Sequence, residues 1–452
     1  MISEKGLIRC LGGLVGGEHV FAGAKVQAYA VDEKFPTAVV TPGSVEEVSA
    51  VMGFASGEGL KVAPWGSGTK MAFGGVPERL DLVISLSRLT GVVDNEPADM
   101  TATFQAGTLL REAQARLGQT GQFIALDPPH SQLATIGGIL ATNSSGPRRL
   151  RFGSSRDLLI AIRVVHADGT VTKGGAKVVK NVTGYDINKL YLGSLGTLGI
   201  IVEATFRLFP VLAVEKTFLA PFASVEEVGG VVAKILNSPL VPSAIELFNP
   251  EASQQLCGET RIPWPEDNYG LAVAIGSVRR EAVDAQLEAA GRYIGEAVSH
   301  DKCILEGETH DVFWQLTRDF AIHRNLQAIL KASVLFTKVA DAVKLGDEIA
   351  KKQGMRIGII SEAGSGIIRY YLSGRNVAPE KFHRGVVEAV KQLRQFAVAA
   401  DGSLVVLEAP PETKREVDIW GAVGNALPLM KGLKEQFDPE RILNPGRFVG
   451  GI

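Results

Sequence analysis

Pro64-Trp65-Gly66-Ser67-Gly68-Thr69 follows the short apolar run Val62-Ala63, and its reading decides the first half of the chain. Alternating small residues let successive backbone N–H groups converge on an anion without interference from a Cβ. Taken alone, the stretch reads equally well as a tight packing turn, so its neighbours carry weight. Upstream, Ser44 with Glu47 is a capping box opening an amphipathic helix expected to run to about Gly57. Downstream, Leu80 to Ser85 reads as a further strand, which closes a strand–helix–strand–glycine-loop module. A second small-residue stretch runs from Thr135-Ile136-Gly137-Gly138 through Ala141-Thr142-Asn143-Ser144-Ser145-Gly146.

Two common phosphate sites are excluded. A P-loop requires G-x-x-x-x-G-K-[ST], and Gly68-Thr69-Lys70 inverts that order. A nicotinamide Rossmann site requires G-x-G-x-x-G at a helix start, whereas Met71-Ala72-Phe73-Gly74-Gly75 has no helical face.

Outward from the loops, residues 91 to 210 alternate short β-branched runs (Ile162 to Val165, Ile200 to Phe206) with Gly, Asp and Asn turns, and Thr108 to Leu117 reads as a helix. After Pro210 longer helical patterns appear, at Ser224 to Leu236, Glu281 to Glu296 and Lys381 to Val398, between strands near Leu271 to Ile275 and Arg356 to Ile360. The expected division is 1–210 for an N-terminal leader and α+β domain, 211–425 for an α/β second domain, and 426–452 for a docked C-terminal segment.

Composition narrows the class. At 452 residues, 46% apolar and 21% charged, the chain has the balance of a globular protein and exceeds one core. A net charge of -2 with no basic block argues against nucleic acid as a partner. The densest basic cluster, Arg148, Arg149, Arg151 and Arg156, reads equally as an anion-steering patch or a solvated loop. Cys10, Cys257 and Cys303 are too scattered for an iron–sulfur motif or disulfide framework, which points to a reducing compartment. The N-terminus lacks the basic region of a signal peptide. No stretch offers the ~18 uncharged apolar residues of a membrane helix. A cytoplasmic location is expected, with any inner-membrane attachment made through a partner.

The order of several motifs then becomes specific. Pro42-x-x-x-Glu46-Glu47-Val48, Pro64 to Thr69, Asp127-Pro128-Pro129, Thr135 to Gly138, Ala141-Thr142-Asn143, Phe152-Gly153, Lys180-Asn181-Val182-Thr183-Gly184-Tyr185-Asp186 and Gly193 to Ile200 resemble the FAD-binding domain of the vanillyl-alcohol oxidase and cresol-hydroxylase (PCMH-type) superfamily. The second half resembles the C-terminal domain of FAD-linked oxidases, ending in Phe437-Asp438-Pro439-x-x-x-Leu443-Asn444-Pro445-Gly446-Arg447. Trp420-Gly421 and the last nine residues resemble most the group of bacterial glycolate oxidase FAD-binding subunits and D-2-hydroxyacid dehydrogenases.

The resemblance implies a two-subdomain FAD-binding domain with a cap domain. Trp65, Gly66, Ser67, Gly68 and Thr69, with Thr135, Gly137 and Gly138, would hold the pyrophosphate through backbone N–H groups. Pro128, Pro129, Ser131, Ala141, Asn143 and Gly146 would line the cofactor channel, Ile201 would pack on the cofactor, and Asn444 would approach the isoalloxazine. Many relatives bind FAD covalently through a His or Cys near the first loop. Pro64 to Gly75 contains neither, so the FAD is expected to be non-covalent.

Relatives in the hydroxyacid group hold a divalent metal with an H-x-G-x-G-x-x-H pattern and a later E-H-G, and take a proton from the substrate hydroxyl there. Glu362-Ala363-Gly364-Ser365-Gly366-Ile367-Ile368-Arg369 and Glu408-Ala409-Pro410 align with these, so all three histidines are replaced. No metal is expected. The remaining catalytic candidates are Glu362, Arg369, Glu408, Arg318 and His323. Arg318 and Arg324 could clamp a carboxylate, although a six-residue step does not keep one face of a straight helix.

Three readings follow from the resemblance. The chain oxidises a small 2-hydroxy acid such as glycolate or D-lactate and passes electrons to an acceptor, with a second flavoprotein subunit and a separate iron–sulfur subunit as partners. Or it is a flavin-binding electron-transfer or assembly subunit without turnover of its own. Or it is an oxidase for another substrate, reoxidised by O₂. The loop reading has a direct check. Gly68→Val should abolish flavin retention in a folded protein, because a β-branched side chain blocks backbone approach to the pyrophosphate; full FAD occupancy would refute the loop assignment.

Overall fold

The structure is a computed structural model and describes residues 2–176, 186–295, 302–322, 324, 326–374 and 377–452. Lys180 to Tyr185 of the sequence motif and the candidate His323 lie outside the described residues. The chain divides into two units: Met1–Ser145, Ser154–Pro210 and Ala422–Ile452 form the first, and Gly146–Gly153 with Val211–Gly421 form the second.

In the first unit, a four-stranded sheet runs in the order Val20–Ala22, Ala38–Val40, Leu82–Ser85, Val62–Trp65, the last three parallel. Parallel strands are covered on both faces, and Ala38–Val40 and Leu82–Ser85 are accordingly buried at every position. The helix Val45–Gly57 makes the crossover to Val62–Trp65, and Ser44 caps it by accepting from the Glu47 N–H at 3.1 Å. Only half of the expected capping box forms: the Glu47 carboxylate takes the N–H of Gly43 instead, at 2.7 Å. The leader, which reads as helical or irregular in sequence, holds a helix at Glu4–Val15 and an edge strand at Val20–Ala22.

A second, antiparallel sheet has the order Val92–Glu96, Thr101–Gln105, Ile200–Arg207, Leu159–Val165, Val171–Gly175. Its middle is stitched by a buried cross-strand bond between the hydroxyls of Thr103 and Thr205, 2.8 Å apart.

The C-terminal helix Ala426–Phe437 ends in a polar knot. Asp438 is fully buried and accepts from the N–H groups of Ile442 and Leu443, both at 2.8 Å. The ammonium of Lys434 donates to Asp438 at 2.6 Å, to Leu443 O at 2.9 Å and to Thr197 O at 2.8 Å. Burial pulls the Lys434 pKa below the ordinary lysine value, and Asp438 opposes that pull.

The second unit is built on an eight-stranded antiparallel sheet ordered Cys303–Glu306, Val214–Phe222, Tyr269–Ser277, Ala244–Phe248, Arg356–Glu362, Ile367–Ser373, Ala328–Ser333, Ser403–Glu408. Helices alternate with strands along the chain, yet the pairing is antiparallel. The period-2 alternation of strand side chains separates two cores. Ile245, Leu247, Ile359 and Tyr370 face Val225–Leu236, Arg280–Gly295, Val339–Gln353 and Pro379–Ala399, while Ala244, Phe248, Ile360 and Tyr371 face Pro250–Thr260 and Gly307–Arg318.

The sequence reading keeps residues 146–153 in the first domain, but they pack with the second unit. The cause is ionic. Arg148 donates to Glu215 at 2.7 Å, Arg149 lies 3.8 Å from Glu362, and Arg151 donates to Gly276 O at 2.5 Å. Three of the four clustered arginines are therefore engaged with the protein itself. Among the described residues no helix is long and apolar enough to cross a membrane.

Replacing Asp438 with Ala should cost the first unit roughly 3–5 kcal/mol, since it leaves the Lys434 charge buried without its counterion. Urea unfolding of the variant, followed by tryptophan fluorescence, checks this; an unchanged midpoint would show that the knot is not structural.

Candidate functional site

Strand Val62–Trp65 delivers the chain into the glycine loop, and the Trp65 ring lies 5.1 Å from that of Tyr29. The loop abuts the second small-residue stretch so closely that a Cβ on Gly66 would sit 2.2 Å from Thr135 Oγ1. Ser67 closes the seam by donating its hydroxyl to Leu133 O. Gly68 has φ +78, and a Cβ there would lie 2.6 Å from the Trp65 ring. No helix follows the loop: residues 68–75 are turns.

The N–H groups of Ser67, Gly68 and Thr69 have no acceptor among the described residues. Three consecutive free donors around a residue that tolerates no Cβ form a cradle suited to a pyrophosphate, which needs hydrogen bonds more than a fixed cation. Thr135, Gly137 and Gly138 act differently from expectation. Thr135 caps the helix Ile136–Ala141 by accepting from Gly138 N at 3.2 Å, and Ile136 N and Gly137 N donate to Thr108 O and Ala106 O at 2.9 and 2.8 Å. These N–H groups are occupied, so this stretch shapes the cradle by packing: a Cβ on Gly137 would meet that of Ala106 at 2.9 Å.

Further segments converge here. Leu195 N donates to Ala141 O at 2.8 Å, and a Cβ on Gly196 would touch Pro64 at 3.0 Å. Asn143, with φ +46, and Gly193 approach within 3.3 Å of a Cβ contact. Asn444, with φ +44, donates its side-chain amide to Leu195 O at 2.6 Å and its N–H to Val62 O at 2.9 Å. Pro128 is buried, and Pro129 and Ser131 are half-buried before the Thr135 cap. Ile201 sits inside the five-stranded sheet opposite Val164. Gly146 belongs to the second unit. Arg447, which ends the C-terminal motif but has no site role in the sequence reading, reaches three loop carbonyls, those of Met71, Phe73 and Gly75.

The second unit carries a row of charges. Glu246 lies opposite Glu362, Ile360 opposite Arg369, and Arg369 opposite Lys331. Side chains alternate along strands, so Glu246, Glu362, Arg369 and Lys331 share one sheet face across four adjacent strands. Arg369 donates to Glu362 at 2.6 Å, and both carboxylates, Glu246 and Glu362, are buried. Burial opposes the Arg369 charge most strongly, but Glu362, Tyr371 and Glu246 prevail and its pKa is raised. Lys331 makes no ion pair or hydrogen bond with the described residues. Burial first, then repulsion by Arg369 and Arg149, pulls its pKa down to about 8, against the attraction of Glu362.

The other candidates are placed less suggestively. Glu408 ends its strand exposed to solvent. Arg318 closes the helix Gly307–Arg318, whereas Arg324 pairs with Glu259 and stacks 4.1 Å over the Phe320 ring. The Arg318–Arg324 clamp is thus not formed, because Arg324 already has its carboxylate. Among the described residues no three His, Cys, Asp or Glu side chains converge as metal ligands.

Residues 36–175 match the model of an FAD binding domain, and residues 212–448 match that of the FAD linked oxidases, C-terminal domain. The chain is 27% identical to the glycolate oxidase subunit GlcD of Bacillus subtilis, over 94% of this chain and 92% of that protein. It is 27% identical to a D-lactate dehydrogenase of Archaeoglobus fulgidus over 91% of both, and 28% identical to a D-2-hydroxyglutarate dehydrogenase of Xanthomonas citri over 91% of this chain and 89% of that one. In fold it is similar to 4-ethylphenol oxidase from Gulosibacter chungangensis, with a TM-score of 0.78 and 15% identity over 99% of this chain and 97% of that one. With one model covering the cradle and another the sheet of charges, the chain belongs to the FAD-linked oxidases, a family of oxidoreductases, and FAD is its cofactor.

Proposed function

We propose that this chain binds FAD non-covalently and oxidises a small 2-hydroxy acid anion such as glycolate or D-lactate, passing the electrons to a partner. The observation that carries the substrate class is the charge balance of the row of four together with Arg149, which approaches it from the helix Arg149–Phe152, 3.8 Å from Glu362. Arg149, Lys331 and Arg369 bring three positive charges in their ordinary forms, against two negative ones on Glu246 and Glu362. A small carboxylate would complete the balance, and Lys331, which makes no ion pair or hydrogen bond with the described residues, is placed to meet it. The Glu362–Arg369 hydrogen-bonded pair fixes the Arg369 guanidinium beside Lys331, so Arg369 orients an anion while Lys331 binds it.

The flavin supplies the acceptor for two electrons. The names of the most similar relatives, a glycolate oxidase subunit and a D-lactate dehydrogenase, support the same substrate class. The scattered cysteines leave an iron–sulfur relay to a separate subunit, and the relative named as a subunit supports assembly with a partner, which we take to include a second flavoprotein.

A second reading has its own support. The positions that align with the relatives' histidine pair hold the Glu362–Arg369 ion pair here, and Glu408 is exposed at its strand end, so none of the three takes the place of a histidine base. That favours an electron-transfer or assembly subunit without turnover of its own.

The purified chain should show a flavin spectrum that bleaches on anaerobic addition of glycolate or D-lactate; a spectrum that stays oxidised supports the second reading. Calorimetric titration of the holoprotein with oxamate probes Lys331. The ammonium form attracts the carboxylate, so affinity should hold below about pH 8 and fall as the pH rises through it. Lys331→Met should weaken oxamate roughly tenfold and flatten that dependence. An unaltered pH profile in the variant would remove Lys331 from the site.

A further inference from the structure

Arg447 lies six positions from the end of the chain and is almost wholly buried. Its guanidinium reaches into the segment that follows the cradle. Nη2 donates to Met71 O at 2.8 Å and to Phe73 O at 2.5 Å, and Nη1 to Gly75 O at 3.5 Å. The Asp32 carboxylate stands 3.9 Å from Nη1.

The backbone of the arm joins the same seam. Arg447 O accepts from Gly75 N at 2.9 Å, and Pro445 O from Glu78 N at 3.1 Å. The packing leaves no slack: a Cβ on Gly75 would lie 2.4 Å from Gly446 O, and one on Gly74, at φ +111, 3.0 Å from Arg447 O. On the other side, Met71 N donates to Gly68 O at 3.3 Å, which ties the clamped carbonyls to the Ser67-Gly68-Thr69 donors. Burial pulls the Arg447 pKa down to about 10, with Asp32 opposing, so the side chain remains a cation at neutral pH.

We propose that Arg447 is a positioning residue for the cofactor: by holding the carbonyls of Met71, Phe73 and Gly75 it keeps the Ser67–Thr69 donors in the shape that receives the FAD pyrophosphate, and so couples cofactor binding to docking of the C-terminal arm. The inference rests on the assignment of that loop to the pyrophosphate. An arginine suits the task because its planar fork spans several carbonyls at once, which a compact ammonium cannot do. Linkage then makes the effect reciprocal: if the docked arm favours FAD, FAD stabilises the docked arm to the same extent.

The test titrates FAD into the apo forms of the wild type, Arg447→Met and Arg447→Lys, following flavin fluorescence, with the Tm of each apoprotein measured in parallel. Amide exchange of the arm, residues 438–452, is compared with and without FAD in the wild type. Arg447→Met should raise the FAD Kd roughly tenfold to a hundredfold, by loss of charge-assisted hydrogen bonds. Arg447→Lys should recover part of that loss, and FAD should slow exchange in the arm. A merely structural arginine would lower the apo Tm and leave the Kd of the folded fraction alone. Wild-type affinity in folded Arg447→Met, or arm exchange indifferent to FAD, overturns the proposal.

Should Arg447→Met fail to fold, Gly75→Ala carries the test, because its methyl would lie 2.4 Å from Gly446 O and so displaces the arm, while the Arg447 side chain itself is kept. The same weakening supports the coupling, and wild-type affinity in the folded variant overturns it. A wild-type chain that binds no FAD would remove the loop assignment and this proposal together, whereas FAD-binding wild type with an equally tight Arg447→Met removes the coupling alone.

Discussion

The cofactor unit depends on one buried carboxylate. Asp438 sits at the end of the last helix, wholly out of solvent, where it organises a lysine and two backbone N–H groups. Taking an ion pair out of water is expensive, and only close geometry with additional hydrogen bonds repays the loss of hydration. Here the repayment is complete on the cation side, since Lys434 also reaches two carbonyls, those of Thr197 and Leu443. One of those carbonyls belongs to the 193–199 turns and the other to the returning arm. The knot therefore joins segments more than two hundred residues apart in sequence. From it the chain runs directly to Ile442 and Asn444, which flank Val62 at the start of the strand leading into the cradle.

The cradle itself works by omission. Its glycines matter for what a side chain would strike, Thr135 at Gly66 and Trp65 at Gly68, and the resulting surface presents backbone donors. A doubly charged group can be held this way because each N–H is fixed by its own peptide and pays no side-chain entropy on binding. The neighbouring Thr135 stretch contributes shape, its N–H groups being turned inward to the protein.

The second unit solves the opposite problem with side chains. Charges that would be costly alone sit in a row across four strands, where pairing offsets desolvation for Glu362 and Arg369 but leaves Lys331 without an ion pair among the described residues. The Glu362–Arg369 ion pair makes a fixed dipole at the middle of that row. That pair shapes what the face can do more than it shapes the fold, because the strands and their register are set by the apolar residues on either side.

Local periodicity was enough to read much of this protein from its sequence. The helices at 45–57, 225–236 and 426–437, the strand entering the glycine loop, and the absence of a helix after that loop follow from spacing, caps and turn residues, which act within a few positions. The glycine stretches and their motif order likewise made the family legible, since close backbone approach demands small residues wherever it occurs. Tertiary structure alone decided which N–H groups of the two stretches remain free, and that Arg324 belongs to Glu259 rather than to a substrate clamp. It also decided that 146–153 sides with the second unit, that Arg447 clamps the loop, and that Glu246, Lys331 and Arg369 share one face. Those outcomes depend on strand register and on partners far away in the chain, and a side chain's charge or hydrogen-bonding capacity does not say which distant group will meet it.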